Sequence, residues 1–490
     1  MAAIIDRQQE QQELKALLED GEPRLVLLYG RRRVGKTFLL THTWPAERTF
    51  YWTASATTPG QNREQLIRDA AQWSGQSIRV EDYPTWRTVF RLLLDLRVPQ
   101  PLVIVLDEFQ YLGDDPKNLA GVASELNAAW EQRRPARPLV FVISGSAVST
   151  LEALDGGGAP LHGRFAWKAE LRPFDYWHAA QMASFRSLRD RARTYGVFGG
   201  TPRYLTSIRP ARSLASNATT LMLAPRGEVR GLVETAILQE QGLRDVQKYQ
   251  AILRAIGAGS TALNEIGQRA GLPGDTTLRD KIERLVGLGY VAQERNIGAG
   301  STVPFRYRIA DPAFAFYYEF VAPHEAALER SDPARLWRQV VEARLDDYMG
   351  HAFERIAAEA YARREQRLRL PIPREWGRWE GTDREGKSLE IDIVAPLTDG
   401  RVLTGGVKWN KRALDRRWHF HHLDMLDRLS HAGVKWAHAA RRPDSPLLYV
   451  AAGGFTRDFV SVARASRDEV YLWTLADLYQ PVGRRRATRR

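Results

Sequence analysis

The chain has 490 residues, of which 44% are apolar and 26% charged, a balance typical of globular domains that excludes wholesale disorder. At about 100–200 residues per domain, this length predicts two to four domains. Lysine and arginine number 71 against 58 acidic residues, which gives a formal net charge of +13. An excess of this size favours a polyanionic partner such as DNA, although an arginine-rich surface alone can also produce it.

Cysteine is absent, which excludes disulfides, cysteine-ligated zinc or iron–sulfur sites, and thiol nucleophiles. The longest apolar runs, such as residues 102–106, have the length of strands and fall far below the ~18 residues that span a bilayer. The N-terminus lacks the apolar core of a signal peptide. We therefore expect a cytoplasmic protein without a membrane partner.

The first third of the chain has the pattern of a parallel sheet covered by helices. Residues 8–20 predict a short helix, and Leu25–Tyr29 predict a buried strand that runs into Gly30. From there to about residue 150, apolar strand-like runs alternate with helical stretches, as in α/β proteins. Between residues 151 and 210 the pattern becomes mostly helical.

Residues 30–37 read Gly-Arg-Arg-Arg-Val-Gly-Lys-Thr, a complete GxxxxGK[ST] motif between a strand and a helix. The glycines let successive backbone N–H groups point at phosphate oxygens, and the helix N-terminus adds positive potential. Lys36 is expected to reach the β- and γ-phosphates of ATP, and the Thr37 hydroxyl to bind Mg²⁺. The predicted nucleotide-binding residues of this segment are Gly30, Arg31, Arg32, Arg33, Val34, Gly35, Lys36, Thr37 and Phe38.

An apolar strand, residues 101–106, ends in the two acids Asp107 and Glu108. Unpaired carboxylates inside a core cost several kcal/mol, so a purely structural role explains them poorly. Asp107 fits the acid that holds the metal ion, and Glu108 fits the base that orients the attacking water. The second acid favours ATP hydrolysis over phosphate transfer to a small acceptor.

A third apolar strand, residues 139–143, ends in Ser144-Gly145-Ser146. This position suits a sensor of the γ-phosphate beside the two preceding motifs. Either serine could serve, and a simple turn is the alternative. We assign Ser144 to the nucleotide site.

Together with Gly-Gly-Thr-Pro-Arg-Tyr-Leu at residues 199–205, these motifs resemble those of archaeal-type P-loop ATPases, within the AAA+/STAND group of additional-strand NTPases. The resemblance implies that Pro202 belongs to a lid motif that contacts nucleotide, and that Arg203 is a lid sensor. It places Arg7 beside the adenine. It also implies that Arg164 reaches the γ-phosphate of a neighbouring subunit, in a homo-oligomer formed at least when nucleotide is bound. An ordinary surface role is the alternative for each arginine.

Residues 248–310 fit a winged helix, because two short helices precede two strand-like runs around a glycine-rich turn. Arg279 and Arg284 lie on the polar face of the second helix, where a recognition helix meets phosphates and base edges. The alternative is a module that braces the lid or binds a partner protein.

The last third resembles the domain that follows the ATPase in this family, which is itself similar to PD-(D/E)XK nucleases. The resemblance implies a catalytic Mg²⁺ site with Glu354 on a helix, Asp392 on a strand and Lys408 on the next strand. Gly406 stands where the motif requires an acid. Glu390 precedes Asp392 by two residues, projects from the same strand face and could replace the missing ligand.

Two further features bear on function. His419, His421 and His422 could suggest a metal site, but a solvated helix face is the favoured interpretation because no acid lies at ligand spacing before Asp424. The arginines at residues 484–490 predict a disordered tail that adds phosphate affinity.

We therefore predict an α/β chain with a P-loop NTPase core. Its segments are the P-loop ATPase core (1–170), a helical lid (171–245), a winged helix (246–325), a PD-(D/E)XK nuclease-like α/β domain (335–480) and a basic tail (481–490). The predicted function is a Mg²⁺-dependent ATPase that acts as a nucleotide switch coupled to DNA binding or processing, with cleavage left open by Gly406. The alternative is an ATP-regulated signalling or scaffold protein whose inactive nuclease fold binds protein or nucleic acid. A transcription regulator would need specific base readout, for which the sequence shows only a generic helix.

Overall fold

The computed structural model describes residues 5–133, 138–240, 243, 245–274, 276–300 and 302–481. Apart from residue 481, the predicted basic tail lies outside the described residues. The chain divides into two compact units, the first comprising Met1–Phe174, Thr201–Arg203 and Ala236–Arg244, and the second comprising Asp175–Gly200, Tyr204–Thr235 and Asp245–Arg490. Within the described part of the chain, no helix combines the length and the apolar character needed to cross a membrane.

The first unit contains a five-stranded, fully parallel sheet with the order β2-β3-β4-β1-β5. Its strands are β1 (Arg24–Tyr29), β2 (Thr49–Thr53), β3 (Leu102–Asp107), β4 (Leu139–Gly145) and β5 (Phe165–Glu170). Every residue of β3 and β4 is buried, as a parallel sheet covered on both faces requires. Strand β4 lies between β1, which leads into the glycine-rich loop, and β3, which ends in the two acids. The predicted P-loop NTPase core with a parallel sheet is confirmed.

Helices and short 3₁₀ turns connect these strands. The helices are α1 (Gln8–Glu19), α2 (Lys36–Thr43), α3 (Pro59–Ser74), α4 (Trp86–Leu94), α5 (Pro116–Glu131) and α6 (Val148–Glu152). Leu14 of α1 and Leu39 of α2 pack on Val26 of β1 in one apolar cluster. Because α2 begins at Lys36, its N-terminus lies directly after the glycine-rich loop.

The next part of the chain is helical, as the lid prediction requires, although its residues occur in both units. Its helices are α7 (Tyr176–Ala183), α8 (Leu188–Phe198), α9 (Pro202–Leu205), α10 (Leu214–Ala218) and α11 (Glu228–Ala236). A π-helical turn (Thr219–Leu223) follows α10, and a 3₁₀ turn (Ile237–Gln239) follows α11.

In the second unit, three helices precede an antiparallel hairpin. These elements are α12 (Val246–Gly257), α13 (Leu263–Arg269), α14 (Leu278–Gly287), β6 (Val291–Glu294) and β7 (Arg306–Ile309). Leu278, Ile282 and Leu285 are buried along one face of α14, while Arg279 and Arg284 are exposed. Recurrence of apolar residues at three- and four-residue steps explains this amphipathic helix.

The hairpin leads into a helical stretch and a second, mixed sheet with the order β12-β11-β10-β9-β8. Its helices up to the sheet are α15 (Pro312–Phe316), α16 (Glu325–Leu328), α17 (Pro333–Leu336) and α18 (Glu342–Leu368). The remaining elements are β8 (Gly377–Thr382), β9 (Ser388–Pro396), β10 (Val402–Lys408), α19 (Arg416–His431), α20 (Lys435–Ala440), β11 (Leu447–Ala451), α21 (Arg457–Ser466), β12 (Val470–Thr474) and α22 (Leu475–Leu478). Strand β9 pairs antiparallel with both β8 and β10, whereas β10, β11 and β12 run parallel to one another.

Candidate functional sites in the two units

The loop after β1 wraps closely around the side chain of Lys36. Gly30 and Gly35 adopt φ angles of 151° and 99°, which L-residues with a side chain rarely adopt, and a Cβ atom at Gly30 would overlap the carbonyl oxygen of Leu171. The Lys36 ammonium donates to the carbonyl oxygens of Gly30 at 2.7 Å and of Arg31 at 3.1 Å. Lys36 is thereby held inside the loop that the motif predicts to bind phosphate.

Burial lowers the pKa of Lys36 below its ordinary value. The carboxylates of Glu108, Asp107 and Glu240 act in the opposite direction without reversing the shift. Lys36 therefore lies in the field of three carboxylates, of which Glu240 is only 6% exposed. A buried ammonium that is held by two loop carbonyl oxygens is suited to exchange those partners for the phosphates of a nucleotide.

Asp107 ends β3 and is held by three donors. Its Oδ2 atom accepts from the Thr37 hydroxyl at 3.2 Å and from the Tyr51 hydroxyl, while its Oδ1 atom accepts from the backbone N–H of Glu108 at 3.0 Å. The Thr37 hydroxyl and the Asp107 carboxylate thus converge on one point. Hydroxyl and carboxylate oxygens are ligands that Mg²⁺ prefers, so the residues present fit this ion.

Glu108 follows Asp107 in a left-handed backbone conformation, with φ 53°. Such strain in a residue other than glycine is found at functional sites, where surrounding contacts hold it in place. The Glu108 Oε2 atom accepts from the Ser146 hydroxyl at 2.7 Å and from the Gln110 amide. These donors fix the orientation of a carboxylate that the sequence assigns as the base.

The two candidate sensor serines have different surroundings. Ser144 is the sixth residue of β4 and is fully buried, and its hydroxyl has no hydrogen-bond partner among the described residues. Ser146 lies just beyond β4 and contacts Glu108 directly. The structure therefore connects Ser146, rather than Ser144, to the Glu108 carboxylate.

Other residues of the predicted nucleotide-binding segment have different surroundings. Arg32 donates to the Tyr111 hydroxyl at 2.9 Å, and Arg33, with φ 72°, donates to the Gln239 side chain at 2.7 Å. Val34 is buried in the core, whereas Phe38 is 44% exposed and stacks on His42. Phe38 thus presents an aromatic face to solvent directly after Thr37.

Arg7 and Pro202 approach the same unit from distant parts of the chain. The Arg7 guanidinium donates to the carbonyl oxygen of Arg172 and lies 5.2 Å from the ring centroid of Phe174. The Pro202 ring lies 4.0 Å from the position of a Cβ atom at Gly35, so the segment expected to form the lid motif packs against the phosphate loop. Arg203 is exposed beside it.

In the second unit, three predicted carboxylates come together. Glu354 of α18 and Glu390 and Asp392 of β9 each have an oxygen within 4.8 Å of the others. Lys408, at the end of β10, places its ammonium 3.8 Å from Asp392 Oδ2. This acid cluster, defined as Glu354, Glu390 and Asp392, gathers the residues that the sequence assigns to a metal site.

The place of the missing motif acid is filled by an aromatic ring. A Cβ atom at Gly406 would lie 2.6 Å from Trp418 Cη2 and 3.4 Å from Asp392 Oδ2. Glycine is therefore required there by the Trp418 ring of α19. A carboxylate at position 406 would have to displace that ring before it could approach the acid cluster.

The acids of the cluster have unequal electrostatic surroundings. Burial raises the pKa of Asp392, and the carboxylates of Glu354 and Glu390 raise it further, while Lys408 and the Val407 N–H oppose this shift. The pKa of Glu354 is lowered overall. Burial raises it, but His351 and nearby arginines lower it by more.

Comparison with known proteins assigns a family to the N-terminal part of the chain. Residues 4–208 match the model of a family described as an ATPase domain predominantly from Archaea. The chain carries an archaeal-type P-loop ATPase domain. ATP hydrolysis is the activity of this domain, and the phosphate loop and the acids at the end of β3 lie within the matched residues.

Beyond the ATPase domain, residues 317–418 match a family described as archaea bacterial proteins of unknown function. An uncharacterized protein of Methanocaldococcus jannaschii is 23% identical over 415 residues, which cover 83% of this chain and 87% of the relative. These similarities extend past the ATPase domain but assign no further activity.

Similar solved structures include two archaeal proteins. The Walker-type ATPase of Pyrococcus abyssi is 21% identical and gives a TM-score of 0.45, covering 64% of this chain and 96% of that chain. The ORC2 protein of Aeropyrum pernix, in ADPNP and ADP complexes, is 17% identical and gives a TM-score of 0.44, covering 67% and 96%. TM-scores below 0.5 assign no function to this chain.

Sequence reasoning missed three residues that act on the groups of this site. Tyr51 contacts Asp107 from β2, Gln110 contacts Glu108, and the Glu240 carboxylate, more than 200 residues along the chain, favours the charged form of Lys36. Only Gln110 carries a local signal, because it follows the two acids within the same turn. Pairing of β2 with β3, which places Thr53 opposite Asp107, explains the contact of Tyr51.

The prediction of a solvated histidine face is wrong for two of its three members. His419 is 0% and His422 3% exposed, and they contact Tyr449 at 2.9 Å and Thr404 at 3.2 Å. His421 faces solvent. Burial lowers the pKa of His419 to about 4 and that of His422 to about 3.

These two pKa values predict that acid destabilises the second unit. The unfolded chain binds protons at its histidines below a pH of about 6.5, whereas the folded chain does so only near pH 4 and 3. The free energy of unfolding should therefore fall below pH 6.5, by about 1.4 kcal/mol per pH unit for each proton involved. We expect His422→Gln to reduce the difference in melting temperature between pH 7 and pH 5. The matched variant His421→Gln should leave this difference unchanged, and equal differences in both variants would contradict the assignment.

Proposed function

We propose that the chain is a Mg²⁺-dependent ATPase that acts as a nucleotide switch and couples ATP hydrolysis to the binding of DNA. The observation that carries the proposal is the joint arrangement of Lys36, Thr37, Asp107 and Glu108 at one edge of the parallel sheet. A cytoplasmic location, where ATP is available, belongs to the same proposal.

The residues present divide the work of hydrolysis among themselves. Thr37 and Asp107 would hold Mg²⁺, which, when bound, neutralises charge on the phosphates. Lys36 provides a positive charge for the β- and γ-phosphates, and Glu108 orients the attacking water. Ser146 keeps the Glu108 carboxylate in position through its hydroxyl.

Gln110 connects this site to a neighbouring 3₁₀ turn and to α3. Its amide nitrogen contacts both the Glu108 carboxylate and, at 3.3 Å, the Ser146 hydroxyl. Gln110 belongs to a short 3₁₀ turn (Phe109–Leu112), and the backbone carbonyl of Tyr111 accepts from Asn62 of α3 at 2.9 Å. A change at the γ-phosphate that moved Glu108 would therefore be transmitted to this turn and to α3.

The DNA-binding part of the proposal rests on α12 to α14 and the following hairpin. Three helices followed by a two-stranded antiparallel sheet are the elements of a winged helix. Arg279 and Arg284 of α14 are exposed, on either side of the buried stripe formed by Leu278, Ile282 and Leu285. The formal charge of +13 supports a partner rich in phosphate.

Measurements of DNA binding test the coupling between the bound nucleotide and DNA. Duplex DNA binding should weaken steeply with salt, and it should differ between the ATP-bound and ADP-bound protein. The double variant Arg279→Ala/Arg284→Ala should lose affinity for all sequences and reduce the slope of log K against log[salt] by about 2, one for each lost phosphate contact. Fluorescence anisotropy with labelled duplexes at several salt concentrations measures both quantities.

The double variant Arg68→Ala/Arg79→Ala is the matched control, because it also removes two exposed arginines but from the ATPase domain. It should bind DNA with the salt slope of the parent. Equal effects of the two double variants would show that only net charge matters and would contradict the winged-helix contact. Absence of DNA binding at low salt would leave ATP hydrolysis intact and contradict the coupling.

One observation favours a second candidate function, an ATP-regulated scaffold whose nuclease-like module binds without cutting. The Trp418 ring occupies the position that the motif acid needs. Incubation of the protein with plasmid and single-stranded DNA in Mg²⁺ or Mn²⁺, with and without ATP, separates the two candidates. Cleavage that is lost in Asp392→Ala would exclude the scaffold.

A further inference from the structure

The acid cluster of the second unit surrounds an arginine side chain. Arg378 lies on β8, where the pairing with β9 shifts register between Gly377 and Trp379. Such bulges re-aim side chains and are frequent next to functional sites. The Arg378 guanidinium forms ion pairs with Glu390 and, at 3.9 Å, with Glu354.

The contacts of Arg378 tie three elements together. In addition to Glu354 of α18 and Glu390 of β9, its Nη2 atom donates to Glu380 of β8 at 2.8 Å. Glu380 lies directly opposite Glu390 in the β8–β9 ladder. Like charges at such paired positions destabilise a sheet, so the guanidinium between them offsets a repulsion that the backbone pairing imposes.

The burial of the Arg378 side chain favours its pairing with acids. The Arg378 side chain is 13% exposed, and a guanidinium removed from water is costly unless acids surround it. Conversely, clustered carboxylates need a cation. Arg378 meets both requirements with groups of the chain itself.

The third acid of the cluster also has partners within the chain. Asp392 accepts from the Val407 N–H at 2.8 Å, and the Lys408 ammonium lies 3.8 Å from the same oxygen. A Cβ atom at Gly406 would lie 3.4 Å from this oxygen, but it would overlap the Trp418 ring. Mg²⁺ requires an octahedral shell of oxygen ligands and usually keeps several waters. Because Asp392 is already engaged by these neighbours, the remaining carboxylates of the acid cluster are those of Glu354 and Glu390, which are already paired with Arg378.

The donor set therefore does not match the metal centre that the similarity to PD-(D/E)XK nucleases implies. We propose that the guanidinium of Arg378 is the resident cation of the acid cluster and takes the place of a divalent metal ion. This proposal rests on the second candidate function, in which the nuclease-like module binds without cutting. That function supplies only the comparison with metal-dependent nucleases. Its consequence is a module that binds but does not cut, because no metal-activated water forms at the cluster.

Metal binding by the full chain tests the proposal without reference to ATPase or nuclease activity. All proteins would carry Asp107→Asn, so that the ATP site contributes no carboxylate for the metal. Titration with Mn²⁺ followed by electron paramagnetic resonance should show no site in this parent. Arg378→Met, which removes the cation and keeps much of the aliphatic stem, should bind one Mn²⁺ at least tenfold more tightly than the parent. Its melting temperature should be lower than that of the parent without Mn²⁺ and should rise by several degrees when Mn²⁺ is added.

Arg401→Met is the matched control, because Arg401 is also a mostly buried arginine that pairs with two acids, Asp399 and Glu469, in the same module. This variant should gain no Mn²⁺ site. The proposal is overturned if the parent binds one Mn²⁺ that Asp392→Asn abolishes, and this titration does not require the Arg378 variant to fold. It is also overturned if Arg378→Met folds, as judged by circular dichroism, and binds no Mn²⁺.

Discussion

Replacement of Glu108 by glutamine is expected to slow ATP hydrolysis by about 10²–10⁴-fold while ATP affinity stays close to that of the parent. Glutamine preserves the size of the side chain and can still contact Ser146, but it cannot accept a proton from the attacking water. The loss should therefore appear in kcat and not in the dissociation constant. Steady-state phosphate release and equilibrium binding of a fluorescent ATP analogue measure the two quantities separately.

Two further variants bracket this result. Lys36→Ala removes the positive charge from the phosphate loop and should abolish ATP binding itself. Ser146→Ala removes the hydroxyl that donates to Glu108 at 2.7 Å, and it should lower kcat by less than Glu108→Gln because the base is retained. Hydrolysis by Glu108→Gln at the parent rate would show that another group activates the water.

The ATPase domain could be predicted from sequence because its signals are local. The strand β1 (Arg24–Tyr29), the glycine-rich loop and the helix that follows occupy one continuous stretch, and each element constrains the next. The acids at the end of β3 are likewise recognisable from the apolar run before them. In a parallel sheet, the carboxyl ends of neighbouring strands meet at one edge, so these signals also predict which residues come together.

The contacts that tune this site could not be predicted, because they depend on tertiary structure. Tyr51 reaches Asp107 only because β2 pairs with β3, and nothing in the sequence near Tyr51 indicates that neighbour. The influence of Glu240 on the pKa of Lys36 comes from a segment more than 200 residues along the chain. Separations of this size carry no periodic or motif signal.

The C-terminal module shows the limit of reasoning from a motif. Resemblance predicted Glu354, Asp392 and Lys408 as neighbours, and the alternation of side chains along a strand added Glu390. The structure places these residues together. The resemblance gave no reason to expect Arg378 among them, because a guanidinium at a bulge follows from register and not from residue spacing.

The histidines of α19 illustrate the same limit in a different way. Their spacing does not reveal which face of the helix packs on the sheet. Tyr449 and Thr404, on β11 and β10, determine that His419 and His422 are buried.

The position of Arg164 in the sheet leads to a prediction about how copies of the chain assemble. Arg164 immediately precedes β5, and the next residue, Phe165, pairs with Leu25 at the beginning of β1. The phosphate loop begins after Tyr29, four residues further along β1, which corresponds to about 13 Å of strand. Arg164 is therefore at the opposite edge of the sheet from the nucleotide site of its own ATPase domain. Its side chain is 45% exposed and pairs with Glu131 at 2.9 Å.

We propose that Arg164 acts on the γ-phosphate held by a neighbouring copy of the chain, and that Arg164→Ala consequently lowers kcat by about 10³–10⁵-fold, as loss of an arginine finger does, without loss of ATP affinity. Mixing Arg164→Ala with Glu108→Gln subunits should restore part of the hydrolysis, because some interfaces then combine an intact base with an intact arginine. Arg24→Ala is the matched control, since Arg24 begins β1 at the same edge of the sheet and pairs with Asp20 at 2.9 Å. It should hydrolyse ATP at the parent rate. A monomer by light scattering in the presence of ATP, or an absence of rescue on mixing, would exclude action between subunits, because an arginine at this edge cannot reach its own phosphate loop.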